Sequence, residues 1–426
     1  MTSWRVLHGD CVEQMRTLPE ASIDACVTDP PYGIGFMGKE WDTFKPGAGA
    51  TRKLMHPRER EAAKLRSENP NINGRHRSPA LSPSQIDYDY SVAGLRGFQV
   101  WTEAWACEVL RVLKPGGYAV VCGAPRAYHR MACGLEDAGF EIRDCLAWLF
   151  GSGFPKSLNI GDGRGTALKP AHEPIVLARK PFNGTVRANV DMFGTGALNV
   201  DACRLDAGAG GYRGDEPSAK RRYTDNGGTD FSMQPGPRGG SELGRWPANV
   251  VLDEAAALAL DEQTGELVSG FMPAGTQREG LGYHGGLGTT VRNDTRGDSG
   301  GASRFYYVAK PSREERDYGC GGLPRRFLAT MNDGIGGREH NQNQPTAHVR
   351  NFHPTVKPVE LMRWLVKLVT PIGGTVLDPF TGSGTTGMAC QYEQRGFIGI
   401  EREAEYLEIA KARISAVAPL FTTEAV

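Results

Sequence analysis

The sequence is short of several things, and each shortage excludes a class of protein. It has no net charge, since 49 Lys and Arg stand against 49 Asp and Glu over 426 residues. No global basic field therefore advertises a nucleic-acid partner, and any such surface must be local. No apolar run is long enough to span a bilayer. The opening MTSWRVLHGD lacks the basic stretch and apolar core of an export signal and runs straight into a strand-like segment, so a cytoplasmic protein is expected. There is no C-x-x-C pair: the nine cysteines are scattered, many in apolar runs, and read as reduced core residues and not as disulfides or zinc ligands. No metal-ligand cluster is visible, and none of the nine His and free Cys forms a recognisable nucleophile constellation.

What is present centres on VLDPFTGSGTTGMACQYEQRGFIGIE, residues 376–401. It reads as a short apolar strand over 375–377, an acidic strand end at Asp378, a turn holding Gly382 and Gly384, a helix, and a second apolar strand closing on Glu401. That order is a βαβ half-unit. The glycines admit a ligand close to backbone at the helix N-terminus, and a carboxylate ending the next strand suits the two hydroxyls of a ribose. Spacing alone would equally serve a structural helix start. A second element decides between them: the apolar run 22–28 leads into Asp29-Pro30-Pro31-Tyr32 and places these residues at a strand's carboxyl end, where ligands of open α/β sheets gather. The two prolines remove two backbone donors and fix φ, leaving carbonyl acceptors and a carboxylate beside an aromatic face. A flat, amine-bearing ring is the guest such a tetrad suits.

Elsewhere the pattern alternates strands and helices. A strand over 5–9 ends at Asp10, which either caps the helix that follows or faces the ligand. Helices are expected over 98–113, 125–138, 254–263, 359–369 and 404–417, and strands over 23–28, 118–122, 140–150 and 249–252. The last strand of the sheet is either 173–178 or 304–308. Residues 52–77 carry eight Lys and Arg against three Glu, either a solvated insert or a grip on phosphates. Residues 181–350 hold 30 of the 56 glycines and are loop-rich.

The pair DPPYG at 29–33 and HPTVKP…VLDPFTGSGTTG at 353–387 resembles the amino-methyltransferases of DNA, which methylate adenine N6 or cytosine N4 with S-adenosylmethionine. With the catalytic motif first and the cofactor motif last, the order is similar to the permuted β class, and TGALNVDACR and RWPANVVLDE resemble stretches of its phage and prophage members. The resemblance implies an α/β fold: a doubly wound, mostly parallel, seven-stranded, Rossmann-like methyltransferase sheet, circularly permuted. It implies a catalytic half over 1–180 with a basic insert at about 43–97, a target-recognition domain over 181–350, a cofactor half over 351–418 and a loose tail over 419–426. It casts Asp29, Pro30, Pro31 and Tyr32 as catalytic. It puts Asp10, Thr355, Lys357, Asp378, Pro379, Phe380, Gly382, Ser383, Gly384, Thr385 and Glu401 on the cofactor, Thr355 and Lys357 near its methionine carboxylate. Phe36, Lys39, Trp41, Arg52, Lys53, Lys220, Arg221 and Arg222 would face double-stranded DNA. A homodimer and a cognate restriction endonuclease are the further partners it allows.

An Asp before Pro-Pro-Tyr goes more often with adenine in that family and a Ser with cytosine, so Asp29 points to adenine N6. Methylation of a protein glutamine is opposed by the Asp in place of Asn and by the motif order, and an inactive DNA-binding module by the intact Asp29, Tyr32, Asp378 and Glu401.

Overall fold

The computed structural model describes residues 3–33, 92–151, 153, 159–206, 243–268, 277–280, 287–291, 298–309, 313–327 and 348–417. In chain order its main elements are β1 (Trp4–His8), α1 (Cys11–Arg16), β2 (Ile23–Thr28), α2 (Val92–Val112), β3 (Leu113–Cys122), α3 (Tyr128–Asp137), β4 (Glu141–Leu149), β5 (His172–Arg179) and α4 (Val186–Phe193). There follow β6 (Val250–Asp253), α5 (Glu254–Thr264), β7 (Tyr307–Ala309), α6 (Val359–Val369), β8 (Thr375–Asp378), α7 (Thr385–Tyr392), β9 (Gly396–Glu401) and α8 (Ala404–Val417).

One sheet of nine strands runs β1-β9-β8-β2-β3-β5-β4-β6-β7. Only β5 is antiparallel to its neighbours. Buried parallel strands read as continuous apolar runs, and β2, whose six residues are all buried, obeys this. Its alternate side chains serve two cores. Ala25 and Val27 join Val120, Val376 and the helices α6 and α8 on one face; Cys26 joins Val121, Leu377 and α1, α2 and α3 on the other. The sheet is thus covered on both sides, which defines a doubly wound α/β fold.

Nine strands stand where seven were expected. The two additions, β6 and β7, come from the Gly-rich segment and lie parallel on the outer edge of β4. An uncovered edge strand presents unpaired N–H and C=O groups, and these short strands satisfy them. Both rivals for the last strand therefore belong to the sheet: His172–Arg179 lies between β3 and β4, and Tyr307–Ala309 closes the far edge. Helix α2 also starts at Val92, ahead of the expected 98, because the buried Gly94 packs it through a region that reads as polar loop.

Strand β8 continues through α7 to β9 on one side of the sheet, whereas β2 continues towards β3 on the other. Between their carboxyl ends the connections diverge and leave a crevice, the position where such sheets take ligands. The two ends are stitched together: Thr28 Oγ1 donates to Asp378 Oδ1 at 2.6 Å. Among the described residues no helix is long and apolar enough to cross a membrane.

Candidate active site

A cleft of about 470 Å³ opens at this switch point. Its lining includes Gly9, Asp10, Glu401 and Glu403, the apolar Trp101, Phe380 and Ile400, and Asp29, Pro30, Pro31, Tyr32 and Glu173. Two motifs more than three hundred residues apart thereby share one cavity, because β2 and β8 are adjacent strands with Ala25 opposite Val376.

The Gly-rich turn holds its shape for local reasons. Gly382 and Gly384 sit at φ 52° and 81°, in the left-handed region. A Cβ on Gly382 would lie 2.9 Å from His353 Nε2, and one on Gly384 2.8 Å from Ala410 Cα, so side chains are excluded by space as well as by conformation. Glu401 stitches the turn to β9: Oε2 accepts from Gly382 N and Oε1 from Glu403 N, each at 2.8 Å. Burial pushes its carboxyl up to about 7 despite these two donors. Burial likewise raises Asp378 to about 6 against hydrogen bonds from Thr28, Thr386 and Phe380 N. Asp378 is therefore a clamp between strand ends first. Ser383 and Thr385 do not turn their hydroxyls to the cleft alone, since both accept from Arg413 Nη1 at 3.0 Å. Arg413 is fully buried, also donates to the carbonyls of Ser383 and Glu315, and has its guanidinium lowered to about 10 by desolvation.

Asp10 caps α1, its Oδ1 accepting from Val12 N at 2.9 Å and Glu13 N at 3.2 Å, while it also lines the cleft. The cap expected of it is thus present, and the same residue faces the cleft. Phe380 packs edge-on to Trp105 and tilted on Trp101, each at 5.4 Å between centroids, which fixes the apolar wall of the cleft. Thr355 lies at the cleft, where its carbonyl receives His353 Nδ1 at 2.5 Å. Burial lowers that imidazole to about 4, so it is neutral near pH 7.

At the Asp29 end four polar groups interlock. Tyr32 Oη donates to Asp29 Oδ1 at 2.7 Å and lies 3.2 Å from Glu173 Oε2. Lys357 Nζ is 2.8 Å from Asp29 Oδ2, 2.8 Å from Tyr32 Oη and 3.2 Å from Glu173 Oε2. Desolvation alone would lower the Lys357 ammonium, but Asp29 and Glu173 more than offset it and hold it above the ordinary lysine range. Burial, followed by the two carboxylates, raises the Tyr32 phenol in the same way, so it remains a donor. Lys357, expected on a cofactor carboxylate, pairs with Asp29 in the structure. The two residues lie 328 positions apart in the chain, and no local pattern encodes their pairing.

Sequence reasoning missed Glu173, Arg413, Trp101 and Arg316. Arg316 donates to the carbonyls of Asn351 and His353 and so ties the Gly-rich segment to the HPTVKP stretch. None carries a local motif; each acquires its role from a distant partner. Phe36, Lys39, Trp41, Arg52, Lys53, Lys220, Arg221 and Arg222 lie outside the described residues.

A cleft at the switch point of a doubly wound sheet, lined by a glycine turn and by Asp-Pro-Pro-Tyr, defines a class of α/β fold that takes its ligand between the diverging strand ends. The chain belongs to the N6/N4 DNA methylase family, whose model, described as DNA methylase, matches residues 23–412. Type II methyltransferase M.HindIII of Haemophilus influenzae is 24% identical over 215 residues, 46% of this chain and 65% of that protein. Type II methyltransferase M2.MboI of Moraxella bovis is 43% identical over 72 residues, 17% of this chain and 26% of that protein. The matched stretches thus span less than two thirds of either relative. Among solved structures, the cytosine-N4-specific PvuII DNA methyltransferase overlays with a TM-score of 0.43 at 13% identity, covering 95% of this chain and 84% of that one.

Proposed function

We propose that this chain transfers a methyl group from S-adenosylmethionine to adenine N6 of a base flipped out of duplex DNA. The observation that carries the proposal is the shared cleft, which both Asp29-Pro30-Pro31-Tyr32 and the glycine turn with Glu401 line. The residues present fit the methyl donor of this family. Gly382 lines the cleft with bare backbone, the carboxylates of Asp10 and Glu401 suit adenosine's polar edges, and Phe380, Ile400 and Trp101 suit its flat faces.

An exocyclic amine is a weak nucleophile because its lone pair is delocalised into the ring. Asp29 Oδ and the Pro30 carbonyl hold the two amine hydrogens, which favours a pyramidal nitrogen and aims its lone pair across the cleft. Tyr32 stacks on the extruded ring. When bound, the cofactor supplies a methyl already activated by a positive sulfur, so the protein's task is in-line placement and water exclusion. As the nitrogen gains the methyl it sheds one proton, and Asp29 is placed to take it. Asp29 ahead of Pro-Pro-Tyr favours adenine over cytosine N4. Permuted β-class organisation, with residues 181–350 reading target sequence, belongs to the same proposal, as do a homodimer and a cognate restriction endonuclease.

The test is expression in a methylation-free host followed by long-read sequencing of plasmid DNA. N6-methyladenine confined to one sequence context is the expected result. N4-methylcytosine would overturn the choice of base, and unmodified DNA the transfer itself.

A further inference from the structure

Each oxygen of the Asp29 carboxylate already accepts one donor in the structure. Tyr32 Oη occupies Oδ1 at 2.7 Å and Lys357 Nζ occupies Oδ2 at 2.8 Å. The methyl transfer proposed above asks the same carboxylate to receive a hydrogen of the target amine. Each oxygen can take a second donor, but the donors already seated there compete with the amine hydrogen, so the base gains the stronger hydrogen bond if one of them turns away. A hydroxyl has a single hydrogen, so Tyr32 serves one carboxylate at a time, and a donor that leaves a buried acceptor needs another or loses its hydrogen bond.

Glu173 supplies that second acceptor. Its Oε2 lies 3.2 Å from both Tyr32 Oη and Lys357 Nζ, and it lines the cleft. The topology explains how it gets there. Parallel strands bring their carboxyl ends to this side of the sheet, so only an antiparallel strand can present its beginning, and β5 is the antiparallel strand, with Glu173 second in it. Charge supports the same role. One ammonium beside Asp29 alone would cancel its charge and weaken its pull on an amine hydrogen; a second carboxylate leaves the cluster net negative.

We infer that Glu173 is a positioning residue for methyl transfer: it takes the hydroxyl hydrogen of Tyr32 and the ammonium of Lys357 as the base enters, and so frees Asp29 for the amine. The inference rests on the proposed methyl transfer at Asp29. Lys357 keeps its ion pair with Asp29 when Glu173 is replaced, and Glu173→Gln keeps the size and an acceptor oxygen of the side chain, so the fold is expected to stand.

The experiment uses the full chain, radiolabelled S-adenosylmethionine and plasmid DNA from a methylation-free host, in single-turnover and steady-state form. Glu173→Gln is expected to lower kcat roughly tenfold to a hundredfold, the cost of a misplaced reacting group, while cofactor Kd and Tm stay close to those of the parent. In a Tyr32→Phe background, which keeps the ring and removes the hydroxyl, the same substitution is expected to cost clearly less, because the donor that Glu173 would draw away is already absent. A parental rate in Glu173→Gln overturns the inference. So does a loss that tracks Tm or cofactor affinity, or one of equal factor in both backgrounds. An Asp29→Ala control separates the two levels: if it transfers methyl at the parental rate, the reading of the site fails; if it is inactive while Glu173→Gln is not, only the role of Glu173 fails.

Discussion

Individual side chains at this site do two jobs at once, and substitutions must be read with both in mind. Asp29 is an acceptor for Tyr32 and Lys357 and the proposed acceptor for the base. Asp29→Ala leaves Lys357 paired with Glu173, so the fold is expected to stand and cofactor binding to remain. Methyl transfer is expected to fall by at least about a hundredfold, the usual loss on removing a positioned acid or base, measured as single-turnover rate beside cofactor titration calorimetry. Glu401 gives a pH signature. Burial raises its carboxyl from an ordinary 4.5 to about 7, so the fold favours the neutral form. Its contribution to stability is complete below about 4.5 and is lost as pH rises through about 7. Glu401→Gln cannot ionise, and its Tm is expected to vary less with pH across that window than the parent's. Ribose recognition wants the charged form, so affinity for S-adenosylmethionine is expected to rise through the same window in the parent and to stay level in the variant. A parental affinity that does not change with pH would separate Glu401 from the ribose.

At the scale of elements, the glycine turn is rigid because other elements hold it. Arg413 on α8 reaches Ser383 and Thr385 in front of it and the Glu315 carbonyl behind, with no exposure to water. Arg413→Met keeps the length of the chain but strands those acceptors. A loss of about 3 kcal/mol in urea unfolding is expected from charged hydrogen bonds of this kind, together with weaker cofactor binding as the turn loosens. A variant as stable as the parent would show that water replaces the guanidinium. Element boundaries show where local signals suffice. Helix α6 begins and ends where its apolar periodicity does, at Val359 and Val369, because eight of its eleven residues are buried against the sheet. Helix α2 runs past its sequence signal into Val92, since packing of Gly94 outweighs the low helix propensity of glycine.

For the whole molecule, the question is whether residues 181–350 stand apart from the catalytic sheet. Part of them does not: β6 pairs with β4, and Val251 is fully buried in the same core as Val120 and Trp364. Val251→Asp places an unpaired carboxylate there, and a loss of several kcal/mol is expected in the unfolding of the entire sheet, followed by cofactor-dependent protection in a thermal scan. A change confined to a separate, earlier transition would show instead that β6 melts on its own.

The sequence by itself determined the alternation of strands and helices, the glycine turn, the Asp-Pro-Pro-Tyr strand end and the family they mark. These are short-range matters: a period of two or 3.6, a φ only glycine adopts readily, a proline without an N–H. Only the tertiary structure decided that Lys357 rests on Asp29, that Glu173 stands within reach of both Lys357 and Tyr32, that Arg413 underpins the turn, and that two strands of the Gly-rich segment complete the sheet. Such contacts join residues far apart in the chain through strand order and direction. A charged side chain in the sequence looks the same whether solvent or another charge awaits it, and the antiparallel run of β5 is what put Glu173 beside the other charges.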